Sequence, residues 1–247
     1  MTNEATLEGG QPGLSEAARV IDTFIAPTAT FNDIRRSASW WLPFVLMLIS
    51  SIGTAFVVDR QVGFQQVFDN QTKISQRAQD RQADMTPEQK AQNERVGTAA
   101  TKYFSYGGFL AIAVFFALYS LVLWAAFNFG LGATTTYNQV FAVTIYSALP
   151  YLAITILTVI SLYFGGNAEG YDYKNPVGTN LAYFMPDAAP WLKGLLQSLD
   201  VVKLWSVVLQ VVGMAIIAKK TIAQTALIVG LLWVVGVVVT IAGAVFS

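Results

Sequence analysis

Two sets of residues have the chemistry to act. Three acids, Glu169, Asp172 and Asp187, share one loop, and three uncharged polar residues, Asn128, Thr155 and Gln210, lie in or beside apolar tracts. A calcium loop needs closely and regularly spaced oxygen ligands, and the acids' spacing fits no such loop, so they read as solvated charges. The chain has no histidine and no cysteine. That removes the commonest general base and metal ligand, thiolate nucleophiles and disulfides. Gly-rich phosphate loops are also missing. No catalytic, cofactor-binding or metal residue is assigned, no cofactor is expected, and the chain reads as a non-enzyme. Asn128, Thr155 and Gln210 could line a polar path between the second, third and fourth crossings defined below, beside a kink at Pro150. Helix–helix hydrogen bonding is the plainer use of such residues.

The elements that hold these residues are apolar. Of 247 residues, 54% are hydrophobic and 12% charged, whereas soluble domains are near a quarter charged. Lys plus Arg equals Asp plus Glu at 15 each, which leaves no electrostatic footprint for nucleic acid. Residues 103–168 contain no Asp, Glu, Lys or Arg. A crossing needs ~20 apolar residues, so this run holds two crossings joined by the Gly-, Thr- and Asn-rich turn at 128–139. The fold class is all-α, an integral membrane protein with five transmembrane helices plus amphipathic interfacial helices. The division is 1–39 (lead and interfacial helices), 40–58 (first crossing), 59–102 (polar helical hairpin outside the membrane), 103–164 (second and third crossings), 165–200 (loop and interfacial helix) and 201–246 (fourth and fifth crossings). Residues 40–246 then form one membrane domain.

Residues 1–13 read as a disordered lead without a cleaved signal, the first apolar run acting as a signal-anchor. Ser15 can cap a short helix that Pro27 ends. Thr30-Phe31-Asn32-Asp33 resembles a capping box starting a second helix, with Phe31, Ile34, Ala38 and Trp41 on one face. The pair is expected to lie on the headgroups, the alternative being a stub packed on the protein's own loops. Trp40 and Trp41 fit an aromatic belt. Thr86-Pro87-Glu88-Gln89 starts a helix that continues into the second crossing, and residues 190–199 form another interfacial helix. Pro150 kinks the third crossing and frees a carbonyl that a neighbour must satisfy. Gly236, Thr240 and Ala244, four apart, mark a helix contact.

Five crossings put the termini on opposite sides. Arg35-Arg36 and Lys219-Lys220 share one side close to the membrane, which the positive-inside tendency makes cytoplasmic. Ten of the fifteen basic residues lie on the other side, seven of them in the acid-matched segment 59–102. The amino terminus is therefore expected inside, in a bacterial cytoplasmic membrane, with lipid as the main partner, a protein partner at the amino-terminal region, and no nucleic acid.

Three stretches carry a family likeness. They are Ile21-Asp22-Thr23-Phe24-Ile25-Ala26-Pro27 through Phe31-Asn32-Asp33-Ile34 to Trp40-Trp41-Leu42-Pro43; residues 142–152 with Tyr146, Ala148, Leu149 and Pro150; and Leu199-Asp200-Val201-Val202-Lys203-Leu204-Trp205 through Val212-Gly213-Met214-Ala215. The chain resembles the Yip family, the Ypt- and Rab-interacting multi-spanning membrane proteins, in its bacterial branch. The resemblance implies five membrane helices, a cytoplasmic amino terminus and an exterior carboxyl terminus. Eukaryotic members act in vesicle traffic, binding small GTPases and shaping membranes. Their Asp-Leu-Tyr-Gly-Pro motif is absent here. The functional expectation is a scaffold or membrane-organising factor, with a transporter or permease component as the alternative.

Overall fold

The computed structural model describes residues 13–166 and 168–246. The disordered lead expected at 1–13 lies outside these residues but for its last one. Eleven α-helices form, α1 (Glu16–Ile25), α2 (Pro27–Arg36), α3 (Trp41–Gln61), α4 (Phe64–Ile74), α5 (Gln76–Ala83), α6 (Pro87–Ala125), α7 (Tyr137–Ser147), α8 (Tyr151–Phe164), α9 (Pro190–Ser198), α10 (Val201–Ala218) and α11 (Ile222–Phe246), with no strand among the described residues. Five helical tracts are long and apolar enough to cross a membrane: α3, α6 with its extension to Gly130, α7 with α8, α10, and α11.

Local chemistry sets the helix ends. Ser15 accepts from the Ala18 amide at 3.1 Å and caps α1. Thr86 and Gln89 form a reciprocal capping box with Pro87 in the first turn. From there α6 runs without a break from the polar segment into its apolar crossing. The preceding polar stretch holds the end of α3 and two short helices, α4 and α5. Gly63, at φ 81°, ends the α3 run, and Ser75 stops α4 and caps α5 through the Ala78 amide.

The turn between the second and third crossings is a side-chain clamp. The α6 end widens into a π-turn over Ala126–Gly130. Asn128 Nδ2 donates to the Thr135 carbonyl at 2.9 Å, while its Oδ1 accepts from the Thr135 amide and hydroxyl. Thr136 and Gln139 then cap α7 reciprocally.

Pro150 breaks the third crossing as its chemistry requires. Amides 149, 151, 152 and 153 bond three residues back rather than four. The Ser147 carbonyl thereby loses its helical donor, and Ser206 Oγ of α10 fills the place at 2.6 Å.

The core gathers α7 and α10 around Val143, Tyr146, Leu149, Leu209 and Met214. Phe31 and Ile34 of α2 belong to it, both with no exposed surface. Here the expected start of the second amino-terminal helix is corrected. α2 begins at Pro27, so Thr30 is no cap but a buried mid-helix residue whose hydroxyl donates to the Arg19 carbonyl at 3.0 Å. Its apolar face packs on α10, where a Cβ on Gly213 would lie 2.9 Å from Phe31 Cδ1. The proline at the first position, not the Thr-x-x-Asp pattern, sets the start, because proline's fixed φ fits a first turn. Trp41 faces outward, while Trp40 packs edge-on against Phe141 at 5.0 Å.

On the opposite face, α9 lies across the end of α11. A Cβ on Gly194 would sit 2.8 Å from Ile241 Cα and 3.2 Å from Ala244 Cβ. Thr240 and Ala244 are therefore the small residues that admit this approach. Asp200 caps α10 through the Val202 and Lys203 amides and also accepts from Thr179 Oγ1 and Asn180 Nδ2, which ties the long loop to the bundle.

Candidate functional site

The most unusual chemistry in the chain is a buried ionic cluster that the first two helices make. Arg19 points inward and is 2% exposed. Its Nε stands 2.6 Å from Asp33 Oδ2, and its Nη1 3.4 Å from Glu16 Oε1. Asp33 Oδ1 accepts from Arg36 Nε and Nη2 at 3.0 and 2.8 Å. Tyr146 of α7 donates its hydroxyl to Glu16 Oε2 at 3.2 Å, which fastens the α1–α2 hairpin to the third crossing. Thr23 and Thr30 both donate to the Arg19 carbonyl. Tyr146 lies nine residues beyond Tyr137, roughly 14 Å along the α7 axis. The hairpin thus reaches down beside the crossings.

Burial by itself would raise the Asp33 carboxyl. The hydrogen bonds and charges of Arg36 and Arg19 outweigh that cost and hold it below the usual carboxylate range. Burial likewise acts to lower Arg19, and the bond to Asp33 with the charges of Asp33 and Glu16 reverses it. Both members are ionised at neutral pH.

With its charge turned inward, α1 turns its apolar side out. Ile21 is 59% exposed and Ile25 75%, with Phe24 beside them. A soluble helix would have the opposite arrangement. This face suits lipid, and the inward one suits an ion pair.

The second feature is a lateral cavity of about 440 Å³ among α3, α6 and α8, beneath Tyr171 and Tyr173 of the long loop. Hydroxyls line it, and Ser50 and Thr155 share a hydrogen bond of 2.6 Å across α3 and α8.

The six residues singled out from sequence are not brought together. Thr155 lines the cavity, Asn128 is consumed in the α6–α7 clamp, and Gln210 is buried with its Nε2 lacking a hydrogen-bond partner among the described residues. They form no shared path. Asp172 and Asp187 border a wide pocket on the opposite face together with Lys73, Lys174 and Lys193. Glu169 instead lends its carbonyl to Asn70 Nδ2 at 3.0 Å. Among the described residues no three His, Cys, Asp or Glu gather as metal ligands.

Sequence reading missed the ionic cluster. Arg19 and Asp33 are 14 residues apart and on different helices, and no periodicity links them. One signal was available: Arg19 and Thr23 are four apart on the face of α1 opposite Ile21 and Ile25.

A search of curated proteins and a search of solved structures each found no match. The sequence profile of the Yip1 domain matches residues 21–243, from α1 to within a turn of the α11 end. The Yip1 family is not a known enzyme family. A match over nearly the whole length, on a bundle with five crossings, shows that this chain belongs to the Yip1 domain family of multi-pass membrane proteins.

Proposed function

We propose that this Yip1-domain chain is a non-enzymatic membrane-organising protein, a scaffold that acts on one leaflet through its amino-terminal hairpin. One observation carries the reading: α1 presents Ile21, Phe24 and Ile25 outward from a mount fixed by the Arg19–Asp33 pair. An amphipathic helix sunk ~5–10 Å into the headgroup boundary displaces lipid in one leaflet and favours curvature. A helix rigidly joined to five crossings does so at a fixed depth. We place this face in the cytoplasmic leaflet of a bacterial membrane, since Arg35, Arg36, Lys219 and Lys220 flank it. The same region is where a protein partner would dock.

The test is reconstitution into liposomes at rising protein-to-lipid ratios, read by vesicle size and electron microscopy. The native chain is expected to shrink or tubulate vesicles. Ile21→Ser with Ile25→Ser, both on exposed positions, is expected to lose most of that effect while keeping the unfolding midpoint. Vesicles that keep their shape with the native chain overturn the proposal.

A second reading, a transporter or permease component, has the break at Pro150 beside α10 in its favour. Its test is solute flux in the same vesicles, with none expected if the bundle only organises lipid.

A further inference from the structure

On the amino-terminal face, a polar pocket of about 430 Å³ opens between the end of α2, the start of α7 and the end of α10. Arg35, Arg36 and Lys219 line it with Asn32, Thr134 and Gln139, and no carboxylate lines it. The nearest acid in the α2 sequence, Asp33, is engaged on one oxygen by Arg19 and on the other by Arg36. Arg35, Arg36 and Lys219 therefore share one concavity with no carboxylate in its lining, Arg36 being paired with Asp33 behind it.

The Arg36 guanidinium is held in place, and the backbone that carries Arg35 and Lys219 is fixed. Asp33 holds the Arg36 guanidinium by Nε and Nη2. Gln139 Nε2 donates to the Arg35 carbonyl at 3.2 Å, pinning the α2 end to the capped start of α7. Lys219 is the one non-glycine residue with positive φ among those described, at 53°, where it caps α10. The pocket sits where the α7 crossing begins and the α10 crossing ends.

We propose that this pocket binds a phosphate group, and that its source is the phosphodiester of an anionic glycerophospholipid in that leaflet. Arginine forks match phosphate oxygens, and lysine adds a point charge. Basic pockets between membrane helices have the chemistry to take such headgroups. The proposal does not depend on the hairpin shaping vesicles. A chain could hold the lipid and leave vesicle shape unchanged.

The test uses the full chain in an uncharged detergent, with bound lipid counted by native mass spectrometry. Phosphatidylglycerol and phosphatidylcholine of equal chain length compete, with and without inorganic phosphate. The native chain is expected to prefer phosphatidylglycerol. Arg35→Gln and Lys219→Asn are each expected to reduce that preference roughly five-fold, the ratio that corresponds to about 1 kcal/mol per cation. Asparagine tolerates the left-handed conformation at the α10 cap. The charge-keeping pair Arg35→Lys with Lys219→Arg is expected to retain the preference, and Lys193→Gln on the opposite face is expected to change nothing. Unfolding midpoints separate lost binding from lost folding. Displacement of the lipid by inorganic phosphate at matched concentration would assign the pocket to soluble phosphate and overturn the lipid source. Equal retention of both lipids by the native chain, with no inorganic phosphate bound, overturns the site.

Discussion

Arg19 and Asp33 meet at 2.6 Å inside a membrane protein, although each stands on a helix outside the five crossings. Within a bilayer, packing apolar surface on apolar surface gains little from leaving water. Phe31 and Ile34 can therefore fill the bundle without being what anchors the hairpin. The ion pair and the Glu16–Tyr146 bond supply directional attachment.

Removing one member of this pair is expected to be costly. Arg19→Met leaves Asp33 beside only Arg36, and Asp33→Asn leaves Arg19 with only the longer contact to Glu16. Each is expected to lower stability by ~3–5 kcal/mol. The double replacement Arg19→Met with Asp33→Leu is expected to recover a large part of that loss, since the two charges it strands, Glu16 and Arg36, are solvent-accessible. Denaturant titration of the three variants in detergent measures it. A double variant as unstable as the sum of the singles contradicts the assignment.

The pH dependence has a defined sign. Asp33 has a folded pKa below its unfolded value, which is ~3.9. Its stabilising contribution is complete well above that unfolded value and declines as pH falls through it toward the folded pKa. Native chain is expected to lose stability between about pH 5 and pH 3 more steeply than Asp33→Asn. Parallel pH profiles for the two would contradict this.

At the Pro150 break, Ser206→Ala removes the donor that satisfies the Ser147 carbonyl. An unsatisfied buried acceptor costs about 1–3 kcal/mol. Ser206→Thr keeps a hydroxyl and is expected to retain most of the stability, as thermal unfolding in detergent would show. Equal midpoints for Ala and Thr would mean that another group satisfies the carbonyl.

Gly194→Val tests the crossing of α9 on α11. Its Cβ would meet Ile241 Cα at 2.8 Å, a backbone atom that cannot swing aside. The expected result is separation of α9 from α11 and faster hydrogen exchange in 190–198, with exchange in α7 unchanged. Protection left intact at 190–198 would show that the helices tolerate wider spacing.

How far the sequence reveals this fold depends on the kind of signal. The crossings are readable because charge is nearly absent from their apolar cores, Lys203 near the start of α10 aside, over lengths that lipid favours. Ser15, Pro27 and the Thr86–Gln89 box are readable because caps and prolines act locally. The position of α2 is not, because Phe31, Ile34 and an outward arginine pair fit a helix on headgroups as well as one wedged against α10. The breaks at Gly63 and Ser75 pass unseen inside a helix-forming stretch. Arg19, Asp33 and Tyr146 escape because ion pairing between helices follows three-dimensional packing and leaves no period. Asn128 is legible as a turn residue, whereas its clamp on Thr135 is not.

The uninterrupted helical tract from Pro87 to Gly130 has a mechanical consequence. Its 44 residues make a strut of roughly 66 Å, well beyond the ~40–45 Å span of a whole bilayer with its headgroups. Its water-side end carries Glu88, Lys90 and Arg95, and its far end holds Asn128. The charged tip and the α6–α7 turn are therefore held at a fixed separation by one continuous helical tract.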